Sequence, residues 1–270
     1  MVKYRGCDVS KWNGVIDFAE VKADGVDFLM IREAYGKKDP KQIDKRFKEN
    51  YTGAKAVGIP VGVYHYSYAD SVSDAKAEAE FCLENIQGMK LEYPVVFDIE
   101  DKEQLKLNNR QRTDIVKAFC ETIENAGYYA MIYTNLNWLK NYLYSEELLS
   151  KYDWWLAQWN VGEPSVECGI WQYSDRGTIY GINGNVDLNI SYKNYPEIMI
   201  KKGLNGFSKQ DTIQVPPKEN HYIYTVVSGD TLWDISEKYL GSGLKYKDIM
   251  ELNELKSDKI YVGQKIKLPI

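Results

Sequence analysis

The chain has 270 residues, of which 44% are hydrophobic and 13% aromatic, which is enough for one large packed domain and a small one. Its formal net charge of -5 at pH 7 argues against the basic surface that nucleic-acid binding requires. Residues 1–6 lack the apolar core of a signal peptide, and no stretch is apolar for long enough to span a membrane. We therefore expect synthesis in the cytoplasm, without a signal peptide, membrane insertion or a nucleic-acid partner.

Short apolar segments with the composition of β-strands recur along the first 190 residues or so. They are residues 4–9, 28–31, 61–66, 95–99, 130–133, 154–158, 169–173 and 186–190. Amphipathic stretches at helical spacing separate several of them, notably residues 43–57, 72–86 and 111–126. This alternation predicts an α/β fold, an irregular (β/α) barrel of eight strands over residues 1–202. The connections after Trp154 are too short for full crossover helices, so we expect the last strands to meet as hairpins.

The pattern breaks at residues 203–220, where Gly, Ser, Pro and Asn predict a linker that is stiffened by Pro216 and Pro217. Residues 221–270 then favour a small α+β domain in the order strand, helix, helix, strand. Residues 222–226 are rich in β-formers, and residues 231–234 fit a helix capping box with Asp in place of Glu. Residues 264–268 alternate polar and apolar side chains, as a closing strand does.

Two carboxylates, Asp98 and Glu100, end the apolar run at residues 94–100. Residues two apart on a strand project from one face, about 6 to 7 Å apart along the backbone. At the carboxyl end of a barrel strand, such a pair suits the cleavage of a glycosidic bond. We expect Glu100, which reaches further, to donate the proton and Asp98 to stay ionised, because repulsion and partial burial raise the pKa of one member. The spacing lies between those of retaining and inverting enzymes and leaves the stereochemistry open.

Two further acids belong to the first and last predicted strands, Asp8 and Asp187. These strands are neighbours in a closed barrel, so both acids are predicted to flank the same mouth as the central pair. Polar and aromatic residues at or near strand ends are candidates for lining a sugar groove there: Arg32, Tyr64, Tyr66, Tyr133, Gln158, Trp159 and Gln172. His65 alternates with Tyr64 and Tyr66, and we expect it to be structural.

Six motifs stand in matching order along residues 3–195. They are GCDVSKWNG (6–14), GVYHY (62–66), DIE (98–100), WWLA (154–157), WQY (171–173) and VDLN (186–189). Together they resemble glycoside hydrolase family 25, the Chalaropsis-type lysozymes, which include many phage endolysins. The chain departs from the family pattern at Cys7, where an aliphatic residue is more usual.

The resemblance implies an N-acetylmuramidase that cleaves the β-1,4 bond between N-acetylmuramic acid and N-acetylglucosamine in peptidoglycan, without a cofactor or metal. By matching position, Glu100 would be the acid/base and Asp98 would orient or stabilise the substrate's 2-acetamido group. Asp8 and Asp187 would hold the hydrogen-bond network of the site. The resemblance also favours retention of configuration, with the acetamido group as internal nucleophile.

Residues 224–235 and 262–269 resemble a LysM domain, which binds glycans that contain N-acetylglucosamine. The positions that match its glycan groove are Gly229, Asp230, Thr231, Leu232, Asn253 and Ile260. Bacterial peptidoglycan is thus the expected partner, the cell wall is the expected place of action, and host cell lysis by a phage is the expected role.

Other functions are less compatible with the sequence. A zinc amidase or a cysteine peptidase is disfavoured, because the chain has two histidines, His65 and His221, and four scattered cysteines. A chitinase-like glycosidase also uses a D-x-E strand end, but it carries upstream aspartates where this chain has Pro94 and Val96. A catalytically inactive wall-binding protein is the remaining alternative, and the presence of all four acids argues against it.

Overall fold

The structure, a computed structural model, describes residues 3–37, 39–212, 221–240 and 242–269, apart from the side chain of Tyr222. These residues fall into two compact units, one built mainly on residues 3–212 and the other on residues 221–269. Within the described ranges, no helix is long and apolar enough to cross a membrane.

Eight strands of the first unit close into a barrel in chain order: β1 (Tyr4–Val9), β2 (Phe28–Tyr35), β3 (Val61–Tyr66), β4 (Val95–Asp98), β5 (Ala130–Asn135), β6 (Asp153–Ala157), β7 (Ile170–Gly177) and β8 (Val186–Ser191). Strands β1 to β7 are parallel, and β8 is antiparallel to both β7 and β1. The predicted irregular barrel is confirmed, with β7 and β8 as a hairpin. The expected hairpin between β6 and β7 is wrong, because the loop at residues 158–169 is long enough to cross over without a helix.

The helices of this unit are α1 (Phe18–Ala23), α2 (Phe47–Ala56), α3 (Val72–Asn85), α4 (Asn109–Asn125), α5 (Leu136–Asn141), α6 (Ser145–Leu149) and α7 (Tyr195–Lys202). Alternate strand residues such as Met30, Val96 and Trp155 fill the barrel interior. Their neighbours on the same strands, such as Ile31 and Phe97, pack outward against α1–α6. Strand alternation therefore produces two core layers, and the inward layer ends below the carboxyl ends of the parallel strands.

Helix α7 and the residues after it close the end of the barrel at which the parallel strands begin. Gly203, in the left-handed conformation with φ of 68°, ends the helix. The buried amide of Asn205 then donates to the carbonyl oxygens of Leu91 (3.1 Å) and Tyr93 (2.8 Å). Residues 203–207 are thus packed barrel residues rather than the start of a linker, and residues 213–220 lie outside the described residues.

The second unit consists of β9 (His221–Thr225), α8 (Leu232–Leu240), α9 (Tyr246–Leu252) and β10 (Lys265–Pro269), with the two strands antiparallel. This is the predicted order. Thr231 caps α8, since its Oγ1 accepts from the backbone N–H of Asp234 at 3.0 Å. The core is a single small cluster, composed of Tyr224, Val226, Leu232, Ile235, Ile249, Ile266 and Leu268.

Candidate active site

A pocket of about 330 Å³ opens at the carboxyl ends of the parallel strands, and it contains all four acids selected from the sequence. Its lining consists of Asp8, Ser10, Trp12, Asn13, Arg32, Tyr64, Tyr66, Asp98, Glu100, Tyr133, Trp155, Gln172, Asn185 and Asp187. Five predicted groove residues, Arg32, Tyr64, Tyr66, Tyr133 and Gln172, are among them.

The central pair of acids follows from the alternation of β4. Asp98 is the last residue of the strand, Glu100 lies two residues further, and both side chains line the pocket. Ile99, between them, packs into the outer core layer. Its backbone N–H donates to the carbonyl oxygen of Tyr133 (3.1 Å), and its carbonyl oxygen accepts from Thr134 Oγ1 (2.7 Å). These bonds extend the strand-like alternation past its end and hold Glu100 over the pocket.

The outer pair of acids lies on the seam at which the barrel closes. Asp8 of β1 and Asp187 of β8 are direct Cα partners across this seam. Asp8 Oδ2 accepts from Gln172 Nε2 (3.0 Å) and from Asn189 Nδ2 (2.8 Å). Two buried amides therefore fix the orientation of the Asp8 carboxyl group.

Burial dominates the electrostatics of the pocket. Burial, with the charge of Asp187 second, raises the pKa of Asp8 well above its usual range. Burial, reinforced by the charges of Glu100 and Asp8 and opposed by Arg32, likewise raises the pKa of Asp98 well above its usual range. Burial also raises the pKa of Asp187. These acids therefore keep their protons to higher pH than exposed carboxyl groups do.

Glu100 is less deeply buried than Asp98. Burial and the charges of Asp187 and Asp101 raise its pKa, whereas a hydrogen bond from Asn135 lowers it. Burial favours the neutral form of Asp98 as well as that of Glu100, so burial alone does not produce the expected pair of a protonated Glu100 and an ionised Asp98. Asp98 Oδ1 is also buried without a hydrogen-bond partner among the described residues. An ionised Asp98 would need a donor at this oxygen.

A family model described as glycosyl hydrolases family 25 matches residues 7–182, which is more than half of the chain. The chain belongs to glycosyl hydrolases family 25. A second model, described as the LysM domain, matches residues 224–269. Each match falls within one unit of the fold.

Named relatives agree with this membership. The chain is 31% identical over 187 residues to an autolytic lysozyme of Clostridium acetobutylicum, a match that covers 68% of this chain and 55% of the other, so the chain spans about half the length of that relative. Among solved structures it is similar to the CTP1L endolysin, with a TM-score of 0.64 and 26% identity over 74% of this chain and 70% of that one. It is also similar to a bacterial lysozyme from Streptomyces coelicolor, with a TM-score of 0.64 and 27% identity over 75% of this chain and 97% of that one.

Two residues chosen as groove candidates lie outside the lining of the family 25 pocket. Gln158 bonds to Ser165 through both ends of its amide, at 2.7 and 2.8 Å, and so braces the loop that follows β6. Trp159 donates from Nε1 to Gln172 Oε1 at 3.2 Å. This indole therefore contacts a pocket residue without lining the pocket itself.

Sequence reasoning did not select five of the lining residues. Trp12 and Asn13 lie in a turn of 3-10 helix that Ser10 caps, and Asn185 lies in a loop, so strand alternation gives no direction for these four side chains. Trp155 lies on β6 and packs edge-on against Tyr64 and Tyr133. The pairing of β6 with β5 indicates that Trp155 lines the pocket, because it is the Cα partner of Tyr133, which is itself a predicted groove residue.

A second ionisable cluster lies behind the barrel wall of this family 25 unit. Glu33, His65 and Cys82 are fully buried, with potential ligand atoms within 4.8 Å of one another. His65 contacts Glu33 through Nδ1 and the carbonyl oxygen of Gly36 through Nε2 (2.9 Å). Burial lowers the pKa of His65, but the charge and hydrogen bond of Glu33 outweigh it and raise the pKa. Both ring nitrogens are therefore engaged in joining β2 to β3, which suits a structural histidine better than a metal ligand.

The LysM unit has a groove of about 450 Å³, lined by Asp230, Thr231, Leu232, Trp233, Tyr246, Asp258, Lys259 and Ile260. Gly229 forms the preceding turn with φ of 94° and is not part of the lining. Asn253 is also outside the groove: its amide donates to the carbonyl oxygens of Ile249 (2.7 Å) and Lys267 (2.6 Å) and thereby clamps α9 to β10. Trp233, Tyr246, Asp258 and Lys259 were not selected from the sequence.

Proposed function

We propose that this family 25 chain is a peptidoglycan hydrolase, an N-acetylmuramidase that cleaves the β-1,4 bond between N-acetylmuramic acid and N-acetylglucosamine. The convergence of Asp8, Asp98, Glu100 and Asp187 in one pocket at the carboxyl end of the barrel carries the proposal. Paired carboxyl groups at that location are suited to the acid-catalysed opening of an acetal.

Glu100 is the proposed proton donor to the leaving oxygen, and its raised pKa keeps a proton available. Asp98 is proposed to accept the N–H of the substrate's 2-acetamido group at its unpartnered Oδ1. That contact would favour the ionised form of Asp98 and would direct the acetamido oxygen toward the anomeric carbon. Attack by this oxygen displaces the leaving sugar, which takes the proton of Glu100, and forms a cyclic oxazolinium with inversion at the anomeric carbon. Water, which gives its proton back to Glu100, then opens this ring with a second inversion, so the net result is retention. Asp8 and Asp187 hold the surrounding hydrogen bonds.

The LysM groove is proposed to bind the same glycan at N-acetylglucosamine units. Tethering a binder to an enzyme raises the enzyme's effective concentration at an insoluble substrate. We also propose a role in host cell lysis by a phage, which the similarity to the CTP1L endolysin supports. If so, a bacterium that produces the protein should lyse only when a pore-forming membrane protein is produced with it.

The reaction is tested by product analysis with purified cell walls. Wild-type protein is expected to release new reducing ends and no new free amines, and Glu100→Gln should lower the rate about 10²- to 10⁴-fold, the usual contribution of a general acid. New free amines would instead indicate a peptidase or amidase. An unchanged rate for Glu100→Gln would contradict the proposed role.

The groove is tested by wall sedimentation with Trp233→Ala. Trp233 lines the groove, is 48% exposed and lies 6.1 Å from the Tyr246 ring, so its loss removes an aromatic surface suited to a sugar ring. We expect wall binding to weaken about tenfold, with the cleavage of short soluble fragments unchanged. Tyr261→Ala is the matched control, because Tyr261 is 72% exposed but lies outside the groove lining. Equal binding losses for both variants would argue against the groove.

A further inference from the structure

The turn after β1 presents an indole and a cation at the pocket mouth. Residues Lys11–Asn13 form one turn of 3-10 helix, and Trp12 lines the pocket. Trp12 is 79% exposed, more than any other large apolar side chain of the described residues. Neither Lys11 nor Trp12 takes part in the proposed chemistry.

This turn is rigid. A capping box joins Ser10 and Asn13, with Asn13 Oδ1 accepting from the backbone N–H of Ser10 at 2.9 Å. The backbone N–H of Lys11 donates to Asp44 Oδ2 at 3.0 Å, and the same oxygen accepts from Arg32 Nη2 at 2.7 Å. The backbone of the turn is therefore tied to β2, which fixes where its side chains leave the chain before any ligand arrives.

The ammonium group of Lys11 contacts ring faces instead of a carboxylate. Its Nζ lies 4.8 Å from the centroid of Trp12 and 5.8 Å from that of Tyr35. The nearby carboxylate, Asp44, is paired with Arg32. Across the described ranges, no ion pair involves Lys11. Cation–π contacts do not use its N–H donors, so these remain able to bind an anion.

The floor of the pocket is acidic, whereas its rim carries the cation Lys11. Among the described residues, the pocket lining contains the acids Asp8, Asp98, Glu100 and Asp187 and a single cation, Arg32, which already pairs with Asp44. An anionic group on a bound glycan would be repelled from the floor and attracted to the rim at Lys11. In wall glycan, the muramic acid unit carries a lactyl arm that ends in a carboxylate or in a peptide that bears carboxylates.

We propose that Lys11 binds a carboxylate of this lactyl arm while Trp12 supports the adjoining sugar ring. This inference rests on the muramidase function proposed above and specifies how the substrate lies in the mouth: the lactyl arm points to the β1–β2 rim. Lys11 then selects acidic wall glycan over uncharged glycans of the chitin type. Lys11 is a specificity residue and leaves the chemical step to the acids.

The experiment compares Lys11→Met, which keeps the aliphatic stem, with Lys11→Arg, which keeps the charge. On native peptidoglycan strands, Lys11→Met should raise KM about fivefold with kcat unchanged, and Lys11→Arg should stay within about twofold of wild type. On strands whose carboxyl groups have been amidated with carbodiimide and ammonia, wild type and Lys11→Met should have equal KM. The advantage of wild type on native strands should also shrink in 0.5 M NaCl, because salt screens exposed charges.

Strands stripped of peptide by an amidase identify the carboxylate. Where peptide is attached, the lactyl carboxyl group is an amide and Lys11 can bind only a carboxylate of the peptide; the amidase frees the lactyl carboxylate. If the effect of Lys11→Met persists on stripped strands, Lys11 also binds the lactyl carboxylate; if it disappears, Lys11 binds only a carboxylate of the peptide. Equal KM values for wild type and Lys11→Met on native strands would overturn the inference, as would an equal loss on native and amidated strands. If wild-type protein released no reducing ends from any strand, the muramidase function itself would be wrong, and this inference would fail with it.

Discussion

In the barrel unit, Asp8 and Asp98 are almost wholly removed from solvent, 8% and 4% exposed, whereas in the LysM unit the groove residue Trp233 is 48% exposed. The two surfaces differ because their tasks differ. A proton donor must have a displaced pKa, which requires burial near other charges. A binding groove on a polymer requires aromatic and polar surface that an extended chain can reach.

The two units also differ in how much core supports the site. The barrel has two apolar layers, and its acids lie at the end of the inner one. The LysM unit has one cluster of seven buried apolar residues. A small core supplies only a small free energy of unfolding. A core mutation in the LysM unit should therefore disturb the binding groove far more than a core mutation in the barrel disturbs the pocket.

The largest expected difference between the units is in their response to the same core substitution, an isoleucine replaced by alanine. Ile249→Ala removes a fully buried side chain from the LysM core and should cost about 2–5 kcal/mol, as much as so small a core supplies. We expect the variant to lose wall binding in sedimentation while still cleaving short soluble fragments. Ile123→Ala, at an equally buried position of α4, is the matched control and should leave wall binding intact. Normal wall binding by Ile249→Ala would show that core size does not separate the units.

A smaller effect should come from Asp98→Asn. Because burial raises the pKa of folded Asp98, the unfolded chain ionises first as the pH rises, and the folded state loses stability between the unfolded and the folded pKa. The neutral amide avoids this cost, so the variant should be more stable at pH 7 by on the order of 1 kcal/mol, or ~2–4 °C in Tm, and inactive. At pH 3, where both states are protonated, the gain should vanish. Thermal melts that show a loss of stability at pH 7 would contradict this account of the pocket.

The smallest effects should appear in the pH profile of kcat/KM. Activity falls as the pH rises through the pKa of the proton donor. A change that raises this pKa therefore moves the alkaline limb of the profile to higher pH. Asn135→Ser removes the hydrogen bond that lowers the pKa of Glu100 and keeps an oxygen to cap α5, so the limb should move to higher pH. Asp187→Asn removes a charge that raises the same pKa, and the limb should move to lower pH. If the alkaline limb moved in the same direction in both variants, Glu100 would be excluded as the group whose pKa determines it.

Much of the candidate active site can be predicted from the sequence because it depends on two simple regularities. The period of a strand puts Asp98 and Glu100 on one face, and the closure of a barrel brings Asp8 to Asp187. The bounds of β1 and β3 are also predicted correctly, as residues 4–9 and 61–66.

The features that sequence reasoning missed depend on contacts between distant segments. Residues 203–206 contain two glycines and an asparagine, a composition typical of a linker. Asn205 is nevertheless buried, because its side-chain amide donates hydrogen bonds to carbonyl oxygens of residues that precede β4. Asn253 matched a binding position but holds two backbone segments together. Burial raises the pKa of Asp98 as well as that of Glu100, and this too follows from depth in the pocket, which the order of residues does not reveal.

The most direct test of the central claim measures binding and cleavage on the same walls with Glu100→Gln. Because the LysM groove is proposed to bind and the barrel pocket to cleave, this variant should sediment with walls as wild type does and should release almost no reducing ends. A variant that binds normally and still releases reducing ends at the wild-type rate would contradict the assignment of the chemistry to the pocket that holds Asp8, Asp98, Glu100 and Asp187.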